Sequence, residues 1–149
     1  MNNYQNILLA IDFSDDGNYV AQRAKYLADL FSAKLSIIHV LDNIPMPDTT
    51  YGTVISLDVD TDTLYELLEI EKSRLKQISD ELNIDPLRRW MVWGEPKQEI
   101  TQIAEQENID LIVVGSHGRH GLAMLLGSTA NGVLHYAKCD VLAIRLQDD

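Results

Sequence analysis

Gly115, Gly118, Gly121 and Gly127 fall within thirteen residues, with His117, Arg119 and His120 among them and Ser128 and Thr129 directly after. Glycines at the end of an apolar strand let backbone N–H groups approach a phosphate closely, and a following helix N-terminus adds unpaired donors and a favourable dipole. Ser128 and Thr129 could donate to phosphate oxygens, and Arg119 could pair with one. The charge pattern points the same way. The 29 residues from Leu111 to Cys139 contain no Asp or Glu, where the chain's average acid content would place about 4 or 5. Asp12 follows the apolar run LLAI at the end of another strand and could accept hydrogen bonds from a ribose or an adenine amino group. A plainer reading accounts for the same residues: Ser128 and Asp12 as helix caps, the glycines as turn formers.

Other chemistry finds less support. No GxxxxGK[ST] occurs and no GxGxxG follows the first strand, so P-loop NTPase and dinucleotide-dehydrogenase readings lose their main warrant. His117 and His120 have no carboxylate beside them, and no metal site is expected there. His39 sits within an apolar strand, as a hydrogen-bonded core histidine would. Cys139 reads as a small apolar residue, since no His–acid pair can be assigned to it. Phosphoryl transfer needs a metal, a charge clamp and a group that orients the nucleophile, and only Asp12 and Arg119 are candidates. No catalytic residue is assigned, and slow ATP hydrolysis is the most the chain would support.

The elements that must position these residues show two alternating hydrophobic periods. Ile7 to Ile11, Leu35 to Leu41, Leu111 to Val114 and Val141 to Leu146 are short apolar runs suited to strands covered on both faces. Leu87 to Trp93 is a weaker fifth, interrupted by Arg88 and Arg89. Between the runs the period becomes helical: Val20, Ala24, Leu27, Ala28 and Phe31 behind a Ser14 cap; Leu64, Leu67, Leu68, Leu75, Ile78 and Leu82; Ile100, Ile103 and Ala104 after Pro96; and Ala130, Val133, Leu134 and Ala137 after Gly127. Strands alternating with helices give a five-stranded parallel sheet with helices on both faces. Asp42 to Asp60 breaks the rhythm and reads as a long surface loop or lid.

The chain has 149 residues, 46% of them apolar, enough for one domain over 1–149 without disulfides. Its single cysteine suits a reducing cytoplasm, and no apolar run is long enough to cross a membrane. With 23 acids against 12 Lys and Arg, the net charge of −11 disfavours nucleic acid and anionic membranes as partners.

Together ILLAIDFSDDG at the start, HV at 39–40, WGEP at 93–96, IDLIVVGSHG at 109–118, GST at 127–129 and CDVLAIR at 139–145 make the chain resemble the universal stress proteins of the UspA family over nearly its whole length. That resemblance implies a Rossmann-like sheet of order 3-2-1-4-5 and a homodimer in which last strands meet, here Val141 to Leu146. The family's nucleotide-binding group carries G-x2-G-x9-G-[ST]. Gly115, Gly118, Gly127 and Ser128 match it in kind, but only eight residues separate Gly118 from Gly127, one fewer than the pattern. The implied ligand is ATP, with Mg2+ as a possible companion and ADP or AMP as alternatives. Ala10 and Ile11 would line the adenine, Asp12 would face ribose or base, and Val40 would flank the base. Gly115, His117, Gly118 and Arg119 would wrap the ribose and phosphates, and Gly127, Ser128 and Thr129 would hold the phosphate tail. The implied function is an ATP-binding regulatory dimer whose nucleotide sets the Asp42 to Asp60 loop and thereby the choice of a protein partner; the alternative is a nucleotide-free interaction protein.

Overall fold

The computed structural model describes residues 3–13, 17–42, 61–116 and 126–145. Five strands, β1 (Asn6–Ala10), β2 (Lys34–Leu41), β3 (Arg89–Trp93), β4 (Leu111–Gly115) and β5 (Asp140–Ile144), form one sheet of order β3-β2-β1-β4-β5. Every pairing is parallel, with Leu9 beside Ile37 and Val113, and Gly115 beside Ile144. Four helices connect them: α1 (Gly17–Phe31), α2 (Thr61–Glu81), α3 (Pro96–Gln106) and α4 (Ser128–Tyr136). The five-stranded order and the alternation agree with the sequence reading. The Ser14 cap and the Asp42 to Asp60 loop, apart from Asp42, lie outside the described residues.

Strand alternation divides the interior in two. Ile7, Leu9 and Ile11 face one side with Leu35, Ile37 and Val113, packing on Val20, Ala24 and Ala28 of α1 and on Leu75 and Ile78 of α2. Leu8, Ile38, Val40, Ile112 and Val114 face the other, against Ile100 and Ala104 of α3 and Ala130 and Val133 of α4. Leu8, Ile112 and Val113 are wholly buried, each contributing about 1.5–3 kcal/mol of transfer free energy. Because both faces are covered, the central strands read as continuous apolar runs. Leu67 and Leu134, expected in the apolar stripes, are exposed instead. Each stands next to a stripe residue, Leu68 or Val133, and so is turned about 100° away from the sheet.

Three helices end in the same way. Ser32, Asn83 and Asn108 have φ near +55°, and the residue after each donates its N–H five residues back: Ala33 to Ala28, Ile84 to Ser79, Ile109 to Ala104. This left-handed cap satisfies the last carbonyls and points an apolar residue back into the core. β3 begins later than its apolar run suggested. Pro86–Arg88 form a 3-10 turn capped by the Asp85 side chain, which leaves Leu87 exposed. Arg89, the first residue of β3, donates to the Ile84 carbonyl and pairs with Asp80 at 2.9 Å. An arginine so satisfied is compatible with a sheet edge.

Candidate functional site

Parallel strands place all their carboxyl ends at one edge, and the order reverses between β1 and β4, the location where open α/β sheets bind ligands. Ala10 ends β1 and packs with the α3/α4 face, as does Val40 near the end of β2. Ile11 continues the ladder, its N–H donating to the Ile38 carbonyl at 3.0 Å, but its side chain enters the opposite, α1/α2 face. Ile11 could therefore reach a ligand beside Ala10 and Val40 only through its backbone. Asp12 follows, half-buried, just past the strand.

At β4 the chain leaves the sheet through Gly115 and Ser116. Ser116 is buried, and its N–H donates to the Ile144 carbonyl at 2.8 Å. The Ser116 carbonyl accepts from the Gly127 N–H at 2.6 Å, a bond that ties the beginning of the glycine-rich loop to its end. Gly127 is the N-cap of α4 and supplies no side chain; no cap hydrogen bond exists there. The first N–H groups of a helix have no intrahelical acceptors, so those at the start of α4 remain available to an outside one. Ser128 is exposed and Thr129 half-exposed beside them. Among the described residues Leu111 to Gly115, Ser116 and Leu126 to Cys139 bring no carboxylate to this end of β4. His117, Gly118 and Arg119 lie outside the described residues, as does His120.

The described site is thus Asp12, Ala10 and Val40 on one side, and Gly115, Gly127, Ser128 and Thr129 on the other. Gly132, five residues after Gly127 on α4, serves packing: a Cβ there would lie 2.7 Å from Lys97 of α3. The sequence also gave no hint of Gly17, where a Cβ would meet the Asp12 carbonyl oxygen at 2.2 Å. That glycine lets α1 start directly against the Asp12 backbone.

Two further residues singled out in the sequence lie apart from this set. His39 is 6% exposed. Its Nδ1 lies 3.3 Å from the Ile11 carbonyl, its Nε2 lies 3.4 Å from Oε2 of Glu71 on α2, and its ring meets Phe13 edge-on. Cys139 is half-buried, and burial, reinforced by Asp140 and Asp110, pushes its thiol above the usual range. That thiol is a poor nucleophile. Among the described residues no group of three or more His, Cys, Asp or Glu could hold a metal ion, and no helix is long and apolar enough to cross a membrane.

The model of the universal stress protein family matches residues 3–145. Universal stress protein A homolog 2 of Coxiella burnetii is 42% identical over 149 residues, spanning 99% of both chains. The solved universal stress protein UspA of Lactobacillus plantarum superposes with a TM-score of 0.74 at 27% identity, covering 97% of this chain and all of that one. A universal stress protein in complex with cAMP has the same fold, with a TM-score of 0.68 at 22% identity over 97% of this chain and 98% of the other.

Proposed function

The chain belongs to the universal stress protein family, and from that premise we propose that it is an ATP-binding regulatory protein, a homodimeric nucleotide-dependent switch acting in the cytoplasm. The observation that carries this reading is the uncapped start of α4. Gly127 donates its N–H to the Ser116 carbonyl while contributing no side chain of its own, which leaves backbone donors and the Ser128 hydroxyl for an anion. The residues present suit the nucleotide's two chemistries. Donors without nearby acid fit the phosphates at α4, and Asp12 fits the hydroxyl and amino groups of a nucleoside at β1. A relative of the same fold holds cAMP, an adenine nucleotide. ATP would supply the anion; Mg2+, ADP and AMP are companions or substitutes that the proposal admits.

Dimerisation is proposed through Val141 to Leu146. β5 is an edge strand, and Leu142 and Ala143 are exposed on it, the kind of edge that a second strand covers.

Denaturing the purified protein and chromatographing the released small molecules tests for bound adenine nucleotide, with calorimetric titration of ATP as the second measurement. Gly127→Val should abolish ATP binding and leave the sedimentation coefficient of the dimer unchanged. No released nucleotide together with no heat of ATP binding by the wild type would overturn the proposal.

A further inference from the structure

His39 is the most deeply buried titratable side chain among the described residues that the proposed nucleotide contacts leave unexplained. Both of its ring nitrogens face acceptors. The Ile11 carbonyl can only accept, so the Nδ1 at 3.3 Å from it must carry a proton. On the other side, Nε2 and the Glu71 Oε2 lie 3.4 Å apart, are buried, and have no other hydrogen-bond partner. A neutral ring already protonated on Nδ1 would direct an Nε2 lone pair at a carboxylate oxygen. A second proton turns that contact into a charge-assisted one.

The acceptor of the other hydrogen bond is what gives the arrangement consequence. The Ile11 carbonyl belongs to the peptide that joins Ile11 to Asp12, so the ring that meets Glu71 of α2 on one side contacts, on the other, the backbone that carries Asp12. Resting on the nucleotide reading above, we propose that His39 and Glu71 form a proton-dependent latch that positions Asp12 and so couples helix α2 to nucleotide affinity. His39 is a positioning residue and touches no ligand.

Arg74 and Glu81 of α2 line the cleft that Ile11 and Phe13 also border, and Asp12 follows Ile11. α1 contributes Gly17 and Asn18 to that cleft, neither of which titrates, and the strand partner of His39 in β3 is Met91.

Without the second proton Nε2 would face the Glu71 carboxylate with a lone pair, and the latch predicts a looser Ile11–Asp12 peptide and weaker nucleotide binding. The test uses Glu71→Gln, because a carboxamide N–H donates to an unprotonated Nε2 and keeps the contact without the extra proton. Wild-type affinity for ATP, measured by calorimetry from pH 6 to 8.5, should fall relative to that of Glu71→Gln as the pH rises. ATP's own titration is common to both proteins and cancels. Parallel profiles would overturn the latch.

A second readout needs no nucleotide. The imidazole 15N shifts of His39 should report two protons at low pH, and the Asp12 backbone amide should titrate with them in the wild type and not in Glu71→Gln. A ring with one proton throughout, or an Asp12 amide indifferent to it, overturns the latch. If the wild type binds no adenine nucleotide, the proposed function fails, and these shifts alone decide whether His39 positions Asp12.

Discussion

Replacing Gly17 with alanine should destabilise the protein, although the same change in a helix ordinarily stabilises. Alanine is favoured over glycine by about 1 kcal/mol in a helix interior, and by 0.4–1 kcal/mol through the unfolded chain where the backbone is compatible. At position 17 the new Cβ would lie 2.2 Å from the Asp12 carbonyl oxygen and 3.4 Å from its carbon. The oxygen is about 0.8 Å inside the 3.0 Å below which such contacts essentially never occur. Its neighbour is backbone, so relief requires moving α1 or the Asp12 peptide, and overpacking of this kind costs about 1–3 kcal/mol. Set against a gain at the helix start of under 1 kcal/mol, the net loss is about 1–2 kcal/mol. At roughly 2–4 °C per kcal/mol for a chain of this size, the melting temperature should fall by about 2–8 °C. Displacing Asp12 should also weaken ATP binding. Scanning calorimetry and ATP titration on Gly17→Ala measure both, with Asn18→Ala, an exposed change in the same turn, as a control expected within ±0.5 kcal/mol. A Gly17→Ala protein that melts at or above the wild-type temperature and binds ATP equally well would refute the close approach as a constraint.

Asp12→Ala should lower ATP affinity about tenfold, and the loss should shrink for 2′-deoxy-ATP, because a carboxylate that bonds ribose has less to lose there; equal losses for both would place Asp12 on the base. Ile112→Ala empties a wholly buried position on β4, beside Leu8 of β1 and under the α3/α4 layer, and should cost about 2–5 kcal/mol in urea unfolding; under 1 kcal/mol would mean that the layer collapses to fill the gap. Tyr4 joins β5 by donating to Asp140 at 2.6 Å, and that hydrogen bond, ahead of burial, holds its hydroxyl above the usual value of 10.0. The folded protein therefore keeps this proton more tightly than the unfolded chain, and the contribution is complete below pH 10 and lost as pH rises beyond it. The stability advantage of wild type over Tyr4→Phe should hold steady from pH 7 to 9 and shrink at 10.5; a constant difference would deny the hydrogen bond that role.

What could be read from the sequence was whatever depends on local period. Ile7, Leu9 and Ile11 against Leu8 and Ala10, and the helical stripe of Val20, Ala24 and Ala28, are fixed by which side chains must be covered. The strand run containing Arg89 was the weak candidate because its satisfaction comes from Ile84 and Asp80, residues that do not reveal themselves as partners until the α2 end is placed. The left-handed caps at Asn83 and Asn108 carried a recognisable residue type, whereas Ser32 did not. The site divided in the same manner. The start of α4 at Ser128 was legible, and the two strand ends to within one residue, Ile11 for Ala10 and Val114 for Gly115, because glycine, capping residues and strand termini are local signals. The Ile11 side chain fell on the other face by simple alternation from Ala10, a consequence the sequence contained. Gly17 against Asp12, Gly132 against Lys97, and Glu71 against His39 were not legible, since each depends on how two elements approach one another.

The charge distribution gives the proposed site a direction. A chain with a net charge of −11 repels polyanions over most of its surface, so a phosphate-bearing ligand must be held by short-range donors where the acid is absent. The start of α4 meets that condition, with backbone N–H groups and no carboxylate nearby on its own segment. Asp12 stands at the end of β1, the neighbour of β4, at a strand spacing of about 4.8 Å. A carboxylate that close to the phosphates would oppose them; the same carboxylate beside a nucleoside accepts its hydroxyl or amino protons. Under the proposed reading the two ends would serve one ligand in a single orientation, nucleoside toward β1 and β2, phosphates toward α4. On the proposed reading Asp12 would exclude the reversed pose as much as it favours the other, so the placement of its backbone would bear on specificity as well as on affinity.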